Sequence, residues 1–228
     1  MRAILAWGVH VFTAAGALVG ALALLAIADG AWRSAVLWML VALAIDALDG
    51  MLARRADVQR HAARLDGRRL DDIVDFLNYA IVPVVFLVAT GLLPSPAWAA
   101  APIFASAYGF AQVDAKTEDD FFLGFPSYWN VLAIYSFLLD VEPLTCTLWV
   151  VVLSVFVFVP WRYVYPSRLR SHRALTFLGS IACFVLVGIS VLAPEWAQRL
   201  YLVEISLLLP VWYMWLSWQL GGFRLRVG

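Results

Sequence analysis

Residues Asp46 to Asp75 read DALDGMLARRADVQRHAARLDGRRLDDIVD. The stretch starts in the last turns of one apolar segment, crosses a loop carrying Arg54, Arg55, Arg60, Arg64, Arg68 and Arg69, and ends in the first turns of the next. Carboxylates at such edges are costly without partners. Asp46 and Asp49 stand three apart, and Asp71 and Asp75 stand four apart, so each pair occupies one face of its helix. Two such helices packed side by side bring four carboxylates to one depth, where mutual repulsion calls for a cation. Hard oxygen ligands suit Mg²⁺ or Mn²⁺, and four carboxylates can bridge and flank a pair of ions of the kind that serves phosphoryl transfer. No His or Cys joins the cluster, which argues against zinc. The competing reading is a solvated network in which these acids pair with the arginines of the intervening loop.

Outward from this stretch the chain is apolar. With 64% hydrophobic residues and a mean hydropathy of +0.85, its 228 residues carry too little polar surface to cover a soluble globule. Segments suited to a bilayer, at roughly 20 residues per span, fall near 7–28, 33–53, 72–93, 96–113, 126–140, 143–161, 174–193 and 197–219. The expected fold class is therefore all-α: a polytopic membrane protein of about eight transmembrane helices, forming one integral membrane domain over residues 1–228, with both ends on one side. The first segment is kept as a helix, because Trp7 to Ala28 is longer than the apolar region of a typical cleaved leader. With the N-terminus inside, Arg2, Arg54, Arg55, Arg60, Arg64, Arg68, Arg69, Lys116, Arg162, Arg168, Arg170, Arg173, Arg224 and Arg226 all fall on the cytoplasmic side, and Arg33 and Arg199 fall outside. That asymmetry follows the positive-inside rule and supports the even span count. It also places the acidic cluster at the cytoplasmic face.

The net charge is zero, so no global field points to nucleic acid, and the basic rim suits lipid headgroups. Cys146 and Cys183 both lie in apolar segments, as packing residues do. No repeat or second soluble domain is visible. Pro126, Pro143 and Pro194 stand near segment starts, whereas Pro83, Pro102 and Pro210 stand inside segments, where a kink is expected.

The quoted stretch resembles the signature of the CDP-alcohol phosphatidyltransferase family, DxxDGxxAR followed by GxxxDxxxD. Asp46, Asp49, Gly50, Ala53 and Arg54 match the first half, and Gly67, Asp71 and Asp75 match the second. Twelve residues, 55–66, separate Arg54 from Gly67, a longer gap than the family's usual one. That spacing is similar to the bacterial phosphatidylcholine synthase branch. The segments WGVHVFTAAGAL at Trp7 to Leu18, SAYGFAQVDAKTEDDFF at Ser106 to Phe122 and GFPSYWN at Gly124 to Asn130 also look like that branch. The family core has six spans, so the last two helices are less constrained by the resemblance.

What the resemblance implies is an inner-membrane transferase that joins choline to the phosphatidyl group of CDP-diacylglycerol, giving phosphatidylcholine and CMP, with homodimerisation. Asp46, Asp49, Asp71 and Asp75 would hold Mn²⁺ or Mg²⁺, two ions in all, and Asp75 would also act as the base. Gly50, Ala53, Arg54 and Gly67 would bind CDP-diacylglycerol, the small residues by close approach and the arginine by paired hydrogen bonds to phosphate. Choline's quaternary ammonium has no N–H, so aromatic faces and carboxylates must recognise it. Asn78, Tyr79, Tyr128, Trp129 and Glu204 are the residues expected there.

Asp72 points about 100° away from Asp71, toward a helix N-terminus or an arginine. His10 and Thr13 are expected to pack, although they could reach the nucleotide. Arg162, Arg168, Arg170 and Arg173 suit anionic lipid, and Asp114, Lys116, Glu118, Asp119 and Asp120 read as a solvated loop. Two alternatives stay open: a transferase for serine or glycerol phosphate, which would need an additional cationic pocket, and a cation transporter using intramembrane carboxylates.

Overall fold

In the computed structural model, which describes residues 2–117, 121–166 and 172–220, the chain opens with a helical hairpin of α1 (Arg2–Ala28) and α2 (Trp32–Ala56). Gly30 makes the reversal. Its φ of 68° is disfavoured for side-chain-bearing residues, and it lets Ala31 N–H reach the Ala26 carbonyl at 2.8 Å and Gly30 N–H reach that of Ile27 at 3.0 Å. These bonds satisfy the carbonyls that a helix end leaves open. The buried face of α1 runs through Ala6, His10, Thr13, Gly16, Gly20, Ala23 and Ile27, the spacing of one helical stripe.

After the short α3 (Val58–His61), Asp66 starts α4 (Gly67–Asp75) by accepting from Arg68 N–H at 3.1 Å and Arg69 N–H at 3.3 Å. Such a cap is worth about 1 kcal/mol. The helix continues through a π-helical turn, Phe76–Ile81, into α5 (Val82–Ala89), one membrane-length segment over Gly67–Ala89. On α1, Gly16 and Gly20 admit this segment at close range. A Cβ on Gly16 would lie 2.7 Å from Val74 Cγ1, and one on Gly20 would lie 2.6 Å from Asn78 Oδ1. Small residues four apart are how membrane helices approach closely.

The remaining elements are a 3₁₀ turn (Pro96–Ala99), α6 (Ala100–Ala111), β1 (Phe121–Leu123), α7 (Trp129–Leu138), α8 (Pro143–Phe158), β2 (Arg162–Val164), α9 (Arg173–Leu192), α10 (Pro194–Arg199), α11 (Leu202–Ser206) and α12 (Leu208–Gln219). Each of the eight apolar segments is helical. Arg2–Ala28, Trp32–Ala56, Gly67–Ala89 and Ala174–Leu192 are long and apolar enough to cross a bilayer, and Trp129–Leu138 and Pro143–Phe158 are shorter apolar helices. The chain is an all-α membrane protein.

Three local readings of the sequence change. The last apolar segment is broken, with Tyr201 at a φ of 52° between α10 and α11. Pro102 and Pro210 fall in the first turns of α6 and α12, where N–H groups lack partners anyway, whereas Pro83 stands inside the continuous Gly67–Ala89 helix directly after its π-helical turn. Two loops read as separate are joined, because β1 and β2 pair antiparallel with Phe122 opposite Tyr163. Gly124 makes that junction possible at a φ of 80°, since a Cβ there would overlap the Val157 backbone carbonyl.

The largest apolar cluster among the described residues includes Ala23, Ile27, Val36, Leu40, Phe86, Leu87 and Val150. Tyr135 ties three elements together there, its hydroxyl lying 2.8 Å from Ser206 Oγ and 3.3 Å from Cys183 Sγ. Cys146 and Cys183 are unbridged. Outward, Leu144, Leu148, Val152 and Val155 on α8 and Leu175, Leu178 and Val185 on α9 are exposed, as faces toward lipid must be.

Candidate active site

The hairpin and α4 bring the signature carboxylates together. Ligand oxygens of Asp46, Asp49 and Asp71 all lie within 4.8 Å of one another. Asp49 is 6% exposed, and Thr13 on the buried face of α1 is 7% exposed. Asp46 accepts from the Tyr79 hydroxyl at 2.5 Å, a charge-assisted bond that fixes the carboxylate's orientation. Asp75, one turn beyond Asp71, is half-buried and stands close enough to Asp46 and Asp71 to feel both charges. Three converging hard oxygen donors, with a fourth carboxylate beside them, fit a divalent cation. The arginine-network alternative loses its support, because no ion pair among the described residues joins a loop arginine to Asp46, Asp49, Asp71 or Asp75.

The other signature residues line the same end. Arg54 is exposed and its guanidinium folds over Gly50, where an added Cβ would lie 3.4 Å from Nη1. Ala53 follows on α2, half-buried. Gly67 opens α4 directly against α1: a Cβ there would lie 3.1 Å from His10 Cε1. His10 is 7% exposed, and its Nε2 has no hydrogen-bond partner among the described residues.

The residues expected at choline divide. Tyr79 and Tyr128 meet beside the cluster, ring centroids 6.1 Å apart. Asn78 instead faces α1, donating to the carbonyls of Gly16 at 3.0 Å and Val74 at 3.1 Å. The amide is thereby committed to the protein, one bond tying its helix to α1 and the other turning back within its own helix. Trp129 is fully buried and donates Nε1–H to Ser106 Oγ at 2.7 Å, which leaves no ring face for a ligand. Glu204 is exposed on α11, a segment packed against α9, α10 and α12, and the structure does not bring it to the carboxylates.

Asp72 finds neither a helix terminus nor an arginine. Its partner is Lys116, at 3.6 Å, so the loop expected to be merely solvated reaches the site. Lys116 also lies within electrostatic range of Asp46, Asp71 and Asp75. Sequence reasoning missed this contact, and it missed Tyr213 of α12, whose ring centroid lies 5.8 Å from that of Tyr128. Glu118, Asp119, Asp120, Arg168, Arg170, Arg224 and Arg226 lie outside the described residues.

Residues 9–160 match the family model for CDP-alcohol phosphatidyltransferase, a span that contains every carboxylate of the cluster. The chain belongs to this family. Its similarity extends to proteins named phosphatidylcholine synthase. The one from Legionella pneumophila is 43% identical over 193 residues, covering 81% of this chain and 75% of that protein. The one from Borreliella burgdorferi is 34% identical over 81% of this chain and 80% of its own length. The one from Pseudomonas aeruginosa is 31% identical over 91% of this chain and 86% of its own. The phosphatidyltransferase thus has its family's carboxylate signature gathered at one end of an apolar bundle, and α9 to α12 lie beyond the family model.

Proposed function

We propose that this phosphatidyltransferase transfers the phosphatidyl group of CDP-diacylglycerol to choline, forming phosphatidylcholine and CMP, at the cytoplasmic face of the cell inner membrane. The observation that carries the reading is the convergence of Asp46, Asp49 and Asp71 within 4.8 Å with Asp75 beside them. Choline as acceptor is supported by the names of the relatives and by Tyr79 and Tyr128 standing against the acidic cluster.

Asp46, Asp49, Asp71 and Asp75 hold two divalent ions, Mn²⁺ or Mg²⁺. Bound there, the metal supplies charge neutralisation for the pyrophosphate and for the leaving CMP. Gly50, Ala53 and Gly67 let the nucleotide approach the helix backbones, and Arg54 binds phosphate oxygens. Asp75 removes the proton from choline's hydroxyl as that oxygen bonds to the diacylglycerol-bearing phosphorus and the bond from that phosphorus to CMP breaks. Tyr79 fixes Asp46 while its ring faces the acceptor. Single-domain organisation and homodimerisation complete the reading.

The test is CMP release from CDP-diacylglycerol by purified protein with Mn²⁺ or Mg²⁺, with choline, serine, inositol and glycerol 3-phosphate offered separately. Release with choline alone supports the proposal. Release with another alcohol keeps the carboxylate roles and overturns the acceptor. No release with any of them overturns the transfer reaction.

A further inference from the structure

The acceptor side of the cluster is walled by tyrosine from distant parts of the chain. Tyr79 lies on the π-helical turn, Tyr128 just before α7, and Tyr213 on α12. Their rings form a continuous series, 6.1 Å between the first two centroids at an interplanar angle of 52° and 5.8 Å between the second two at 75°. The first pair is tilted and the second meets edge to face. All three are half-buried, so the series is not sealed in the core. Its first member donates to Asp46, which sets aromatic faces against negative charge, the combination that binds a cation lacking N–H groups.

Tyr213 is held in place from two sides. Its hydroxyl donates to the Val164 carbonyl at 3.1 Å, and Val164 N–H donates to Ser217 Oγ, one turn further along α12, at 3.2 Å. The last helix is therefore fastened to β2 at the point where it meets the tyrosine series. It lies beyond residues 9–160, the part that matches the family as a whole. Members of a family that shares a donor but not an acceptor must choose the acceptor with groups outside the shared carboxylates.

We propose that Tyr213 is a wall of the acceptor pocket, contributing a ring face to the quaternary ammonium, and that α12 is thereby a specificity element. The inference rests on choline being the acceptor. Tyr213→Leu removes the ring and the hydroxyl, Tyr213→Phe removes the hydroxyl alone, and fluorinated phenylalanines at 213 weaken the ring's negative face at nearly constant size. The choline KM is expected to rise about 2- to 30-fold in the leucine variant, with the KM for CDP-diacylglycerol unmoved. Phenylalanine should restore it, and successive fluorination should raise it stepwise.

A choline KM that responds neither to leucine nor to fluorination overturns the proposal. So does a phenylalanine variant as impaired as leucine, because the Val164 clamp would then be the whole effect. If the leucine variant fails to accumulate in membranes, the fluorinated series decides alone. A wild-type chain that releases CMP with a different alcohol and not with choline overturns the acceptor assignment and this inference together, a result distinct from either variant outcome.

Discussion

Replacing Tyr79 with phenylalanine keeps the ring beside Tyr128 and deletes one atom, the donor of the 2.5 Å bond to Asp46. A hydrogen bond to a charged group contributes about 1.5–3 kcal/mol, which at about 1.4 kcal/mol per decade corresponds to roughly 10- to 150-fold in an equilibrium constant. Partners that orient metal ligands typically govern about 10- to 100-fold of metal affinity. Two effects oppose each other. Losing the donor leaves an Asp46 lone pair free for a cation, but it also frees the carboxylate to rotate away from Asp49 and Asp71. Orientation dominates, because all three oxygens must meet within 4.8 Å. Tyr79→Phe should therefore raise the Mn²⁺ concentration for half-saturation by about 10- to 100-fold, read from the spectrum of free Mn²⁺ without substrates or turnover. Half-saturation equal to or tighter than wild type would refute the reasoning and leave Tyr79 an acceptor-side ring only.

Asp75→Asn should lower turnover by roughly 10²- to 10⁴-fold, the range for losing a general base, with thermal stability in detergent retained; appreciable activity removes Asp75 from that role. Gly20→Ala places a methyl 2.6 Å from Asn78 Oδ1 and 2.9 Å from Leu77 Cδ2, against an amide already fixed by two hydrogen bonds. A loss of about 1–3 kcal/mol is expected, seen as earlier thermal unfolding; an unshifted transition means α1 has room to move. Lys116→Met breaks a half-exposed ion pair, so stability should change by no more than about 1 kcal/mol. It also removes a positive charge facing Asp46, Asp71 and Asp75, so Mn²⁺ should bind more tightly; weaker binding would show that Lys116 orders the loop rather than opposing the metal's charge.

The carboxylate cluster was legible because helical periodicity fixes which side chains share a face, and the two faces need only one packing event to meet. Tyr79 was legible for the same reason, lying one turn beyond Asp75. Asn78 and Trp129 were misread at a different level. A sequence shows a polar amide or an indole N–H, but not whether a partner waits inside the protein, and here the Gly16 carbonyl and the Ser106 hydroxyl do. The break at Tyr201 carries no glycine or proline signal, since a tyrosine at positive φ is held there by its surroundings. Strands of three residues, Phe121–Leu123 and Arg162–Val164, are too short for an alternating pattern to declare itself. Lys116 and Tyr213 reach the site through that strand pair or beside it, so their roles were hidden with it.

These two kinds of legibility correspond to two sides of one site. The carboxylate side is built from a short stretch of chain whose spacing is dictated by the helix: Asp46 and Asp49 on α2, Asp71 and Asp75 on α4, with the segment that α4 begins packed closely on α1 at Gly16 and Gly20. The carboxylates and the glycines that admit their helices thus come from neighbouring turns of the same three helices. The acceptor side is assembled from Tyr128 and Tyr213, far apart in the chain and linked to the carboxylate side through the Tyr79 bond to Asp46. Neither tyrosine is itself hydrogen-bonded to a carboxylate among the described residues. A family that keeps one donor chemistry and serves several alcohols needs that separation, and the proposed role of Tyr213 would place the choice of alcohol on the last helix, beyond the residues that match the family model.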